Sequence, residues 1–269
     1  MGLCNTKQKP INEEGQVRKP VNAEEGQQKS QDDRLDTFKN IITDLKISNI
    51  NAAKLRALDD FKIVFYINDT LAMNDDAQPK KYVSDPFAKF NSHFEDLKYV
   101  MNYLVGISTS LSKDDVEIRF ENHGGNHGMR YTSVTNFKQV ESIFDKKPTS
   151  AKMIKLHEKI ENIAWTMNSV LDQKKLLVIC ATPPKFYIHN ELLNFIKTHP
   201  TLHLMFINCS SDTTHFCFDG WAKNARVGVA YPIDTEREKY HSEKEGEYTL
   251  GDYILKILLG AVDSDIKNG

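Results

Sequence analysis

Short apolar runs alternate along this chain with stretches in which apolar residues recur every three or four positions. Residues 61–67 run Phe-Lys-Ile-Val-Phe-Tyr-Ile and end at the turn formers Asn68 and Asp69, the pattern of a strand buried on both faces. Residues 176–181, 202–207 and 226–230 repeat it, and Val116, Ile118 and Phe120 alternate with polar partners as a further strand. Between them lie helical patterns. Phe90, Phe94, Leu97, Met101 and Leu104 predict a helix over 86–106. Helices are also expected over 133–145, 150–172, 189–199 and 250–266, and over a lead-in before residue 61. Strands separated by amphipathic helices predict an α/β fold: a doubly wound, mostly parallel sheet with helices on both faces. In such sheets ligands bind beyond the carboxyl ends of the strands, where the strand order reverses.

The pattern divides the chain into a tail over residues 1–34, a helical lead-in over 35–60 and the α/β domain over 61–269. The tail has few apolar side chains and is expected to be disordered. It repeats itself loosely: Lys9-Pro10-Ile11-Asn12-Glu13-Glu14-Gly15-Gln16 returns as Lys19-Pro20-Val21-Asn22, followed by Glu24-Glu25-Gly26-Gln27. Its first residues fit the N-myristoylation pattern M-G-x-x-x-[ST], with Gly2 as acceptor and Thr6 at the hydroxyl position. Cys4 is placed for a second acyl chain. One myristoyl chain holds a bilayer only at about 10⁴ M⁻¹, whereas two signals anchor stably. Six basic and six acidic side chains within residues 1–34 leave no polybasic membrane signal, so the second anchor is expected at Cys4.

Composition narrows the classes. The 269 residues are 40% hydrophobic and 27% charged with a formal net charge of −2, which excludes a basic field for nucleic acid. No apolar run reaches membrane-span length, and the polar opening residues resemble no secretory signal. Cys4, Cys180, Cys209 and Cys217 show no CxxC spacing and are expected to be free thiols.

Five stretches together resemble a von Willebrand factor A domain, in a branch common in fungi. Residues 64–73 (Val-Phe-Tyr-Ile-Asn-Asp-Thr-Leu-Ala-Met) are similar to the first strand and its D-x-S-x-S loop. Residues 116–123 resemble the second strand, and Pro148-Thr149-Ser150 sits where a G-T-P-T-G loop is expected. Residues 178–184 resemble the fourth strand with its T-D-G turn, and residues 251–262 the final helix. The resemblance implies a Rossmann-like fold and a metal-ion-dependent adhesion site, in which a partner's carboxylate completes the shell of a divalent cation. Carried onto this chain, the site positions become Asn68, Thr70, Ala72, Lys147 and Ala181 in place of the oxygen-bearing set. Hard cations need oxygen ligands and carboxylate charge. Ala72 and Ala181 offer no side-chain oxygen and Lys147 adds positive charge, so no metal or other cofactor is expected; Asp69 becomes a ligand only if the alignment slips by one residue. Lys147 could occupy the cation's place and meet an acidic partner directly.

The remaining motifs read more plainly. His123 and His127 lie four apart in a Gly-rich segment after a strand and are expected in a solvated turn rather than around zinc. Cys180, at a strand end, is expected to be an inert core thiol. Residues 215–221 are rich in aromatics and fit either a partner contact or the underside of the sheet, while the mixed charges over 236–245 predict a solvated loop. The expected protein is therefore not an enzyme. It is a binding module held by acyl chains at the cytoplasmic face of the plasma membrane or an endomembrane, where it presents the degenerate site positions to a protein partner. Two alternatives belong to other classes: a cation-dependent adhesion or chelatase-like subunit, and a cryptic hydrolase working through Cys180.

Overall fold

Phe61–Ile67 becomes the central strand β2, buried on both sides because its residues alternate between two separate apolar layers. Ile63, Phe65 and Ile67 join one layer, and Val64 and Tyr66 join the other. The computed structural model describes residues 18–20, 31–75, 92–112, 115–123, 129–150, 155–167, 174–182, 190–209, 224–243 and 247–263. In chain order its strands are β1 (Arg18–Pro20), β2, β3 (Val116–Phe120), β4 (Met129–Val134), β5 (Lys175–Thr182), β6 (Leu202–Asn208) and β7 (Val227–Ala230). Its helices are α1 (Gln31–Asp44), α2 (Asn49–Lys54), α3 (His93–Leu111), α4 (Phe137–Ile143), α5 (Leu156–Met167), α6 (Asn190–Thr198), α7 (Ile233–Glu243) and α8 (Leu250–Leu259).

Six strands in the order β4-β3-β2-β5-β6-β7 form the sheet, and the three residues of β1 lie along β4 at its edge. Every pairing is parallel except β3 with β4. From β2 the chain crosses by α3 to β3 on one side; from β5 it crosses by α6 to β6 on the other. The order therefore reverses between β2 and β5, the position where doubly wound sheets bind ligands.

Helices α3 and α8 cover the layer of Phe65, Ile118, Ile179 and Met205, while α5 and α6 cover the layer of Val178, Phe206 and Val227. Two glycines permit the tightest approaches. A Cβ on Gly106 would stand 2.7 Å from Ile41 Cδ1, where α1 crosses α3, and one on Gly228 would stand 2.7 Å from the Gly260 carbonyl carbon, where β7 meets the end of α8.

Several expectations change. The helix expected over 86–106 is observed as His93–Leu111, with residues 76–91 outside the described set. The helix expected over 133–145 is shorter, because β4 occupies its start and Asn136 caps α4 by accepting from the Gln139 N–H. Helix α1 begins at Gln31, before the boundary expected at residue 34. The mixed-charge segment expected as a solvated loop is in part helix α7, and Glu236 within it is buried. Its carboxylate accepts from the Tyr231 N–H and from Lys256, each at 2.7 Å, which ties α7 to α8.

Candidate functional site

The carboxyl rim of the sheet is built outward from β2. The Asn68 N–H donates to the Ala181 carbonyl at 3.0 Å, which extends the β2–β5 ladder by one residue. A parallel bridge then joins Thr70 to Ser150, and the Leu71 N–H donates to the Ser150 carbonyl at 2.7 Å. Asn74 Nδ2 fastens the same two segments by donating to the Pro148 carbonyl at 2.6 Å. Leu71–Asn74 is a 3₁₀ turn on this base. The segment after β2 and the segment around Ser150, after α4, are thus pinned together.

Burial divides the five positions drawn from the resemblance. Asn68 is 3% exposed, Thr70 6% and Ala181 0%. Ala181 packs in the core beside Ile67, its partner in register, so its side chain is not part of a surface. Ala72 is half-buried and Lys147 exposed. The Lys147 ammonium stands 3.7 Å from Glu95 on α3. The residue that meets Thr70 is Ser150. Among the described residues of these two segments, Leu71, at 49%, is accessible together with Lys146, Lys147 and Thr149. Sequence reasoning missed Leu71, since a leucine four residues past a buried strand reads as core. Its signal was the odd step from the buried face, between Thr70 and Ala72.

Beneath this strip lies a sealed polar layer. Asp69 is 1% exposed, and one of its carboxylate oxygens accepts the Asn122 N–H at 2.7 Å. Burial pushes its carboxyl up to about 7, against the lowering effect of that hydrogen bond. Glu121 lies alongside; it accepts the Tyr66 hydroxyl and stands 3.3 Å from the Lys159 ammonium of α5. Burial, and next the Glu121 charge, hold the Tyr66 phenol well above its usual range. The Glu121–His123 segment is therefore packed rather than solvated, which corrects the expected turn: the His123 ring rests against Phe120 and Tyr131, with centroids 4.9 and 6.1 Å away. His127 lies outside the described residues. Further down β3, Glu117 is held by Arg119 and, at 2.7 Å, by Arg130, while Arg119 donates to Thr166 Oγ1 at 2.8 Å. The polar face of β3 is thus covered by α5 and neutralised by pairing, as buried charge requires.

Asn68 Oδ1 is buried without a hydrogen-bond partner, an acceptor of the kind a cation could satisfy. The other donors do not complete a shell. Asp69 accepts from Asn122, just past β3, Ala181 is apolar core, Ala72 has no side-chain oxygen and Lys147 pairs with Glu95. Among the described residues no three of His, Cys, Asp and Glu gather as a metal site. The residues present do not fit a divalent cation of the adhesion-site type.

Cys180 is fully buried between Tyr66 and Phe206, its partners in register on the two neighbouring strands. Burial pushes its thiol well above the ordinary range, the reverse of what a nucleophilic thiolate needs, so this geometry gives no support to a hydrolase working through Cys180. Cys209 at the end of β6 is raised in the same way. Gly2, Cys4 and residues 215–221 lie outside the described residues. No helix among the described residues is long and apolar enough to cross a membrane. Neither a family model nor a curated protein matches this chain.

Proposed function

We propose that this chain is a lipid-anchored adaptor: acyl chains at Gly2 and Cys4 hold a von Willebrand factor A-like domain at the cytoplasmic face of a membrane, and the carboxyl rim engages a protein partner without a bridging cation. The observation that carries the binding half is the exposed strip of Leu71, Lys147 and Thr149, fixed by the Thr70–Ser150 bridge. An exposed leucine flanked by cations on a pinned loop offers a partner surface with little ordering left to do on binding.

The family reading draws support from strand order. The segments read as first, second and fourth strands are β2, β3 and β5, and β4 falls between the second and fourth, where a third strand is required. The segment read as the final helix is α8. The anchor rests on the M-G-x-x-x-T pattern followed by Cys4. Membrane fractionation tests it. Wild type is expected in the membrane pellet, Gly2→Ala in the supernatant, and Cys4→Ser in the pellet until washed, because a single chain binds reversibly. A Gly2→Ala protein that still pellets would overturn the tether.

A further inference from the structure

A second feature of the carboxyl rim lies away from Asn68 and Thr70. Where β6 and β7 end, a pocket of about 50 Å³ opens against the first turns of α3 and the start of α8. A single water needs roughly 10–15 Å³, so the pocket admits a few non-hydrogen atoms and no nucleotide or ring cofactor. Leu97, Val100, Ile207 and Ile233 give it an apolar wall. Asp96 and Asp234 bring carboxylates to it. Asp96, Leu97 and Val100 form one stripe of α3, since they fall one turn apart. Asp234 is held by Arg237 at 3.4 Å. Tyr253 also lines the pocket and is 4% exposed.

We propose that this pocket receives one lysine side chain of the protein partner, with its methylene stem along the apolar wall and its ammonium between the Asp96 carboxylate and the Tyr253 hydroxyl. The volume matches a single unbranched side chain. The carboxylates select a cation, and a compact ammonium fits a narrow pocket better than a planar guanidinium, which needs a flat bidentate acceptor. The apolar wall accounts for the stem, because lysine buries its methylenes while its head stays with polar groups. Tyr253, on the same pocket wall, brings a hydroxyl oxygen that can accept from the ammonium. The inference rests on the reading of this chain as a protein-binding module and gives that partner a recognisable chemistry.

The test uses the full chain, labelled with ¹⁵N, titrated with Nα-acetyl-lysine N-methylamide and, in parallel, with its norleucine and arginine counterparts. The lysine probe is expected to shift the amides of Asp96, Leu97, Asn208 and Cys209 saturably. The norleucine probe should bind at least about tenfold more weakly, the scale of a lost charge-assisted hydrogen bond. Asp96→Asn should weaken lysine binding by about tenfold and Tyr253→Phe by about threefold, while the exposed Asp75→Asn changes nothing. Amide spectra of each variant establish that it is folded. Equal binding of norleucine and lysine, or lysine binding that a folded Asp96→Asn or Tyr253→Phe leaves unchanged, would overturn the proposal; should both variants unfold, the lysine–norleucine contrast on wild type decides alone. Free probes bind irrespective of acylation or of any partner, so failure here is separable from failure of the adaptor reading.

Discussion

Asp69 concentrates the character of this rim. Its carboxyl is sealed from water, held near pH 7 by burial and placed against Asn122. A carboxyl with a folded value of about 7 is protonated in the native chain at pH values where the unfolded chain has ionised, at about 3.9. The native state then binds the extra proton, so the stability this group provides is whole below about pH 4 and is lost as pH rises through about 7. Asp69→Asn keeps an oxygen for the Asn122 N–H and removes the titration. In urea melts the variant should gain on wild type between pH 4.5 and pH 8 by on the order of 2–4 kcal/mol. A difference that stays constant across that range would contradict the buried, protonated carboxyl. The same layer decides the question of metal. With Ala181 in the core and Lys147 on Glu95, calorimetric titration of Mg²⁺ or Mn²⁺ should give no saturable heat, and micromolar binding would refute the account of the rim. Sequence alone located Asn68, Asp69 and Thr70 at the end of a strand but not that all three are buried. That depends on the register with β5 and on the bridge to Ser150, contacts between residues far apart in the chain.

At the scale of elements, the strands most easily read were those buried on both faces. Strands β2, β5 and β6 are continuous apolar runs because parallel strands between two helix layers have no wet side. Strand β4 escaped. It is antiparallel, lies near the edge, and carries Arg130, Thr132 and Ser133, the last with φ of 59°, so neither alternation nor an apolar run announces it. The polar face of β3 misled in the opposite direction. Glu117 and Arg119 alternate with apolar residues, yet both are buried: Arg130 of β4 donates to Glu117 and Arg119 donates to Thr166 of α5, which no local pattern encodes. The contact between β7 and α8 has a sharper consequence. A Cβ at position 228 would stand 2.5 Å from Met205 Sδ and 2.8 Å from the Gly260 carbonyl oxygen. The sulfur can swing away, but the backbone of Gly260 cannot do so without shifting the end of α8. Gly228→Ala should destabilise the chain by about 1–3 kcal/mol, read as a lower urea midpoint with unchanged slope. An unaltered midpoint would mean that α8 is more loosely seated than this contact requires.

For the whole molecule, the two ends of the sheet present different residues. The chain enters α1 beside Ser112, whose carbonyl accepts from Arg34 at 3.4 Å, at the amino end of the parallel strands where α3 gives way to β3. Leu71 and Lys147 lie at the opposite, carboxyl end. Proximity labelling in cells with wild type, Gly2→Ala and the rim variant Leu71→Asp/Lys147→Glu measures both halves at once. Both rim side chains are exposed, so the variant should keep the fold. The account predicts a set of membrane-associated neighbours around wild type that is lost from Gly2→Ala and, with membrane residence retained, from the rim variant. The same neighbours around all three proteins would contradict it.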